Sequence, residues 1–376
     1  MQVMNNPIRA AQASQPDSRG ACVRVDLNAV AHNTRMLKAM LGDQVRMMAV
    51  VKANAYGHGI VPVAHTVLAN GAEYLGVAVP EEGEVLRQAG IDAPCLVLGN
   101  VSKYGAYVSV RRKLIQTVCN AEGVMLMQQA CEMADMQAQV HLKLDTGMSR
   151  IGARTKEEIL SVLDALKKAD RVHLTGAFTH FAEAGNEESV RRQFERFNAL
   201  KQYLPEGLML HTAASEAALK YPFARLDMVR LGIALYGCAG EGLRRAMRWE
   251  TRVAYVKEIN AGDKVSYGGT FCADRTMRIA TIAVGYGDGY LRAFSGKAQV
   301  LIGGKRCDVL GRVCMDQTMV DVSQLPEVKP GDEAVLLGTQ QDECITPEEM
   351  ALWADTICYE VLMLHAGRVP VITENN

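Results

Sequence analysis

The chain has 376 residues, too many for one ordinary core, so a large domain with a smaller companion is expected. Its 41 basic and 42 acidic residues nearly cancel and form no Lys/Arg block, which argues against a nucleic-acid path or an anionic membrane surface and for a small-molecule partner. The ten cysteines show no CxxC pair or metal-ligand spacing and no stretch is apolar enough to span a bilayer; a cytoplasmic protein with reduced thiols and no metal is expected.

The first twenty residues, MQVMNNPIRAAQASQPDSRG, lack the apolar centre of a signal peptide and read as a flexible tail over 1–20. The run Cys22–Leu27 precedes the first helix and is available as a strand of a later β domain. From Arg46 onward, β-like runs alternate with helical ones. The β-like runs are Arg46–Lys52, Tyr74–Val79, Pro94–Gly99, Leu114–Val118, Val140–Asp145, Val172–His180, Leu208–Thr212 and Met228–Tyr236. Between them, segments such as Val61–Asn70, Glu81–Ala89, Glu122–Met136, Lys156–Ala169 and Ser189–Tyr203 repeat apolar residues at three- and four-residue intervals. Eight strands with intervening helices predict an α/β protein with an N-terminal (β/α)8 TIM-like barrel over 21–250. An open doubly wound sheet would need fewer strands and a phosphate fingerprint, and neither GxGxxG nor GxxxxGK[ST] occurs. After Trp249 come short β runs broken by glycine: Arg252–Ile259, Met277–Val284, Lys297–Ile302, Lys305–Val313, Thr318–Val322 and Glu333–Leu337. They predict a C-terminal, mostly β-strand domain over 251–376.

Reactive side chains fall at the C-terminal ends of different predicted barrel strands, where barrel enzymes place their chemistry. Lys52 follows the first run in AVVKANAYGHG, whose ANAYG is turn material leading to a helix near His58, and an amine held there is a candidate imine former. Lys143 and Asp145 close the fifth run and Arg150 follows it, His180 closes the sixth, Ser215 follows the seventh and Arg230 belongs to the eighth. Taken singly, Lys52 reads equally as an ordinary loop lysine, His180 as a core histidine and Arg230 as a salt-bridge partner. Such residues drawn from five separate strands favour a shared site.

These motifs carry a family resemblance. AVVKANAYGHG, HLKLDTGMSRIG, THFAEA and DMVRLGIALYG in the barrel half, with VSYGGTF, VGYGDGY and GRVCMDQTMVDV after it, resemble the ordered blocks of the alanine racemases over residues 22–372. Those are pyridoxal 5′-phosphate enzymes with an N-terminal barrel and a C-terminal β domain. The resemblance implies that Lys52 forms an imine with the cofactor and then serves as one base, with Tyr267 as the second on the opposite face. Racemisation needs two faces, because a proton removed from one side of the α-carbon must return to the other. A tyrosine of ordinary pKa is a poor base at neutral pH, and the resemblance names His180 and Arg230 as the suppliers of nearby positive charge. It also implies Arg230 at the pyridine nitrogen, where a guanidinium keeps its proton and leaves the ring a weaker electron sink. Tyr56, Ser215 and the amides of Gly232 and Ile233 would bind the phosphate. Arg150 would bond the phenolic oxygen and the substrate carboxylate. Lys143 would be carbamylated to hold Arg150, or simply paired with Asp145. Met315 and Asp316 would join Tyr267 in entering the site from a partner chain, giving a homodimer with shared sites, engaged in supplying D-alanine for peptidoglycan.

Four positions depart from the family pattern. Ala214 stands where an asparagine usually precedes the phosphate serine, and Gly367 stands where a tyrosine usually narrows the inner gate. His365 replaces an apolar residue, and Gly185 replaces an acidic one near the channel. Loss of a gate tyrosine opens space, so tolerance of serine or larger amino acids is one expectation, and local repacking with His365 turned inward is the other. Basic amino-acid decarboxylases share the architecture but usually place a glutamate at the pyridine nitrogen, which Arg230 argues against. A non-enzymatic cofactor carrier would have no use for the β domain.

Overall fold

A computed structural model of the chain describes residues 15–365 and 367–374. The described residues divide into two units, one holding 29–55 and 60–244, the other holding those within 15–28, 56–59 and 245–374.

In the first unit, eight strands form one all-parallel sheet: Arg46–Val50 (β2), Tyr74–Val77 (β3), Cys95–Asn100 (β4), Ile115–Val118 (β5), Ala138–Lys143 (β6), Val172–Phe178 (β7), Met209–His211 (β8) and Met228–Leu231 (β9). Their order is β8-β7-β6-β5-β4-β3-β2-β9, and the two ends meet. The Asp227 amide donates to Leu210 O (3.1 Å) and the Arg230 amide to Ala213 O (3.0 Å), which closes the barrel. Each strand lies within two residues of its predicted start. The helices between them start where the sequence supplies caps. Thr155 accepts from the Glu158 amide while Glu158 accepts from the Thr155 amide, and Asn120 and Asn186 cap the helices Ala121–Ala134 and Glu187–Lys201. Their apolar faces cover the sheet through a core that includes Val124, Met127, Val140, Leu142, Ile159, Val162 and Phe197. The buried polar side chains Gln116, Thr117, His141, Lys143, Thr179, His211 and Arg230 all come from the strands or the residues just after them.

In the second unit, Cys22–Asp26 (β1) pairs antiparallel with Met247–Ile259 (β10) and parallel with Val371–Glu374, at one end of a nine-stranded sheet. β10 runs thirteen residues and pairs in turn with Met277–Ile282 and Glu333–Gln340, with a register shift between Trp249 and Glu250. Two helices, Pro347–Ala354 and Cys358–Val361, interrupt the strand pattern. The flexible-tail expectation for 1–20 does not hold for its last residues. Arg19 donates to both Asp17 and the buried Asp288, which fixes a turn ahead of β1; residues 1–14 lie outside the described residues. No helix among the described residues is long and apolar enough to cross a membrane, and no cluster of His, Cys, Asp and Glu is arranged to hold a metal ion.

Candidate active site

Lys52 follows β2 directly. The next four residues, Ala53, Asn54, Ala55 and Tyr56, all take positive φ (51°, 53°, 54° and 53°), one turn of left-handed helix where a simple loop was expected. The following helix begins at Ile60, two residues later than predicted. Non-glycine residues resist this conformation by about 1–2 kcal/mol each. Buried Glu82 offsets the cost by accepting the Ala53 amide (2.6 Å) and the Ala78 amide (2.7 Å), and Asn54 Oδ1 accepts the Ile60 amide (2.8 Å). Burial lowers the pKa of the Lys52 ammonium, Arg150's charge adds to the effect, and Glu82 opposes it.

Arg230 is the hub of the barrel interior. Its Nη1 donates to His211 Nδ1 (2.9 Å) and His211 O (3.1 Å), and its Nη2 to Thr179 O (2.8 Å), Thr212 O (3.0 Å) and His180 Nδ1 (3.3 Å). The Nε–H is the guanidinium donor left without a protein partner among the described residues. Burial lowers its pKa to about 9, with Arg150 contributing, so it stays charged at neutral pH. His180 does not supply positive charge as expected. Its Nδ1 lone pair is taken by Arg230, and burial followed by the charges of Arg230, Lys143, Arg150 and Lys52 holds its pKa to about 2. His180 is therefore neutral, with a proton on Nε2 to donate.

Lys143 is buried with its ammonium over the Phe178 ring (4.8 Å) and bonded to Leu144 O (3.2 Å). Burial, then Arg230 and Arg150, push its pKa well below the ordinary lysine value. The simple pair with Asp145 is not formed. That carboxylate accepts the amides of Gly147 (3.1 Å) and Ser149 (2.9 Å) and faces Arg154 (3.6 Å). Arg150 is exposed, yet its charge reaches Lys52, Lys143, His180 and Arg230.

Ser215 opens the helix Ser215–Lys220, and its Oγ accepts the amides of Gly232 (3.0 Å) and Ala234 (3.4 Å). The Gly232 amide is thus spent on the serine, and the hydroxyl hydrogen of Ser215 is what remains for a ligand. Ala214 sits at the cap position of that helix and gives it no side-chain bond. Gly185 has the Glu216 carboxylate beside it, 3.3 Å from where a Cβ would stand, so an acidic group remains there.

In the other unit, Tyr267 lies on a short turn after Ser266 and is 69% exposed, and Met315 is 53% exposed. Ser266 Oγ donates to Arg312 O (2.5 Å) and contacts Cys314 Sγ (3.4 Å), which ties the Tyr267 turn to the Met315–Asp316 loop. Tyr56 has its ring 6.1 Å from that of Tyr359. His365 has turned inward, donating from Nε2 to Gly57 O (3.1 Å), and burial lowers its pKa to about 4. Gly367 is exposed, and a Cβ there would meet nothing within 4 Å.

Sequence reasoning missed His141, His211 and Glu82. His141 and Lys143 are two apart on β6 and so share a face, a signal the strand alternation carried.

Residues 25–240 match the alanine racemase N-terminal domain and residues 246–373 the alanine racemase C-terminal domain. The chain belongs to the alanine racemase family. An alanine racemase of Symbiobacterium thermophilum is 44% identical over 366 residues, covering 94% of this chain and 96% of that protein. The crystal structure of alanine racemase from Bacillus anthracis with bound L-Ala-P superposes with a TM-score of 0.90 at 36% identity, covering 96% of each chain. Histidine racemase from Leuconostoc mesenteroides superposes with a TM-score of 0.87 at 28% identity, covering 96% of this chain and 100% of that one. The reaction class that goes with the family is isomerisation.

Proposed function

We propose that this chain interconverts L- and D-alanine in the cytoplasm, with pyridoxal 5′-phosphate as cofactor and a homodimer as its working form, and that it supplies D-alanine for peptidoglycan. The observation that carries the reading is the fixed guanidinium of Arg230, whose Nε–H alone is left to donate. A ring nitrogen facing it has to be an acceptor, which fits a pyridine kept unprotonated and does not fit the carboxylate partner of the decarboxylases.

Pyridoxal phosphate supplies an aldehyde that captures an amine and a ring that takes up charge from the α-carbon. Everything else falls to the chain. The lowered pKa of Lys52 favours the neutral amine that can bond covalently and accept a proton at Nζ. Tyr267 of a second copy would hold the proton on the other face, and its exposure in the single chain supports that assignment. Neutral His180 would steady the phenolic oxygen by donating from Nε2. Tyr56, Ser215 and the Ile233 amide offer neutral donors to a phosphate, with Gly232 orienting Ser215. Arg150 offers its exposed charge to a carboxylate. Burial, by pushing the Lys143 pKa well below the ordinary lysine value, favours the amine form that takes up carbon dioxide with loss of a proton, and the resulting carbamate would hold Arg150.

The test is a visible absorption band that borohydride removes and Lys52→Ala lacks, together with D-alanine formed from L-alanine. A second reading, tolerance of serine or larger side chains, is favoured by the open space at Gly367 and by a histidine racemase sharing the fold. Comparison of kcat/KM for L-alanine, L-serine and L-lysine decides it; a preference for alanine above about a thousandfold excludes a wide pocket.

A further inference from the structure

The Met315–Asp316 loop owes its shape to two neighbouring segments. The Tyr286 amide donates to Cys314 O (2.9 Å) and the Gly287 amide to Met315 O (2.8 Å). The approach is close enough that a Cβ on Gly285 would stand 2.2 Å from Cys314 O, and one on Gly287 would stand 2.5 Å from Arg368 Nη2. Because a peptide is planar and trans, pinning Cys314 O aims the Met315 N–H the opposite way. That N–H has no backbone or side-chain acceptor among the described residues.

Arg368 completes the arrangement. Its Nε donates to Asp288 Oδ1 (2.7 Å) and its Nη2 to Asp316 Oδ1 (2.7 Å), with Met315 O 3.4 Å away. Asp288 is fully buried and fully used, accepting also from Arg19 (2.9 and 3.1 Å) and from the Gly285 amide (3.0 Å). One planar guanidinium therefore ties an exposed carboxylate, Asp316, to a buried and immobile one. A lysine would offer one nitrogen in place of the two, Nε and Nη2, that make these bonds.

We propose that Arg368 is a positioning residue for substrate binding: it fixes the Met315 and Asp316 peptides so that the Met315 N–H faces the substrate carboxylate, and it neutralises Asp316, which would otherwise repel that carboxylate. The proposal rests on Met315 and Asp316 lining the alanine site. Arg368 acts on binding more than on proton transfer, so its loss is read in KM.

The experiment uses the cofactor-loaded enzyme with alanine as substrate and propionate as an amine-free competitor. Arg368→Ala raises KM and the propionate inhibition constant about tenfold or more, with kcat within about threefold. Arg368→Lys, which keeps charge but not the fork, recovers less than half of that loss on a logarithmic scale. Arg19→Ala is the control: it takes from Asp288 its other arginine without touching Met315 or Asp316, so it lowers Tm and leaves KM near wild type. The proposal is overturned if Arg368→Ala leaves KM and the propionate constant unchanged, or if Arg19→Ala raises KM equally, which would make the effect one of general stability. Failure of wild type to racemise alanine sinks the functional reading, and is seen before any variant is compared.

Discussion

His211 accepts a hydrogen bond from Arg230 through Nδ1 at 2.9 Å, which leaves its Nε2 proton for His141 Nδ1 at 3.0 Å. The relay keeps both rings neutral and gives the guanidinium a fixed acceptor in the barrel interior. Replacing His211 by leucine strands a buried N–H of Arg230, at a cost of about 1–3 kcal/mol. Denaturant unfolding of His211→Leu against wild type measures this.

The same relay predicts the acid limb of stability. Burial, then Arg230, holds the His141 pKa to about 4, whereas an unfolded histidine titrates near about 6.5. Between those values the unfolded chain binds a proton that the fold refuses. The His141 contribution is therefore intact above the unfolded pKa, is lost as pH drops through this window, and levels off below about 4. His141 alone accounts for about 3 kcal/mol at the bottom of it. His180 and His211, also lowered mainly by burial, act in the same direction. Urea midpoints at about pH 7.5 and about pH 5 should show the loss, and His141→Asn should make it smaller.

The left-handed turn after Lys52 depends on Asn54, a residue that tolerates positive φ and accepts the Ile60 amide. Asn54→Ala loses both and should cost about 1–2 kcal/mol. Activity should fall further than stability, because the turn sets where Lys52 and Tyr56 point. A thermal melt and a kcat measurement on one preparation separate the two effects.

Much of this was legible in the sequence. The barrel strands could be placed because each is a short β-branched or apolar run bounded by turn residues, and the helices because their apolar residues recur at three- and four-residue intervals. The left-handed turn was not, since of its four residues only Asn54 carries a local preference for positive φ. Nor was the neutrality of His180, which follows from burial and three-dimensional neighbours. The helix Pro347–Ala354 had a readable signal in the Thr346 cap, Pro347 and Glu349, but it sat inside a stretch dominated by strands.

Two of the family departures lend themselves to reversal. Ala214→Asn gives the helix Ser215–Lys220 the cap it lacks and should stabilise the protein by about 0.5–1 kcal/mol, read as a rise in Tm. Gly367→Tyr meets no steric barrier at Cβ and should cut kcat/KM for serine or lysine relative to alanine by about 10–100-fold.

If each site takes Lys52 from one chain and Tyr267 from another, two inactive variants should rescue one another. A hybrid of Lys52→Ala with Tyr267→Ala carries one intact site and one doubly damaged one. Dissociation and random reassociation of equal amounts should recover about a quarter of wild-type activity. No recovery, with mixed dimers shown to form, would place both bases in the same chain.

The most direct measurement is chiral chromatography of L-alanine incubated with the cofactor-loaded protein, beside Lys52→Ala. Wild type should convert L-alanine to equal amounts of L- and D-alanine, and the variant should convert none. A protein that carries the borohydride-sensitive band yet leaves L-alanine unchanged, while turning over another amino acid or none, would contradict this reading.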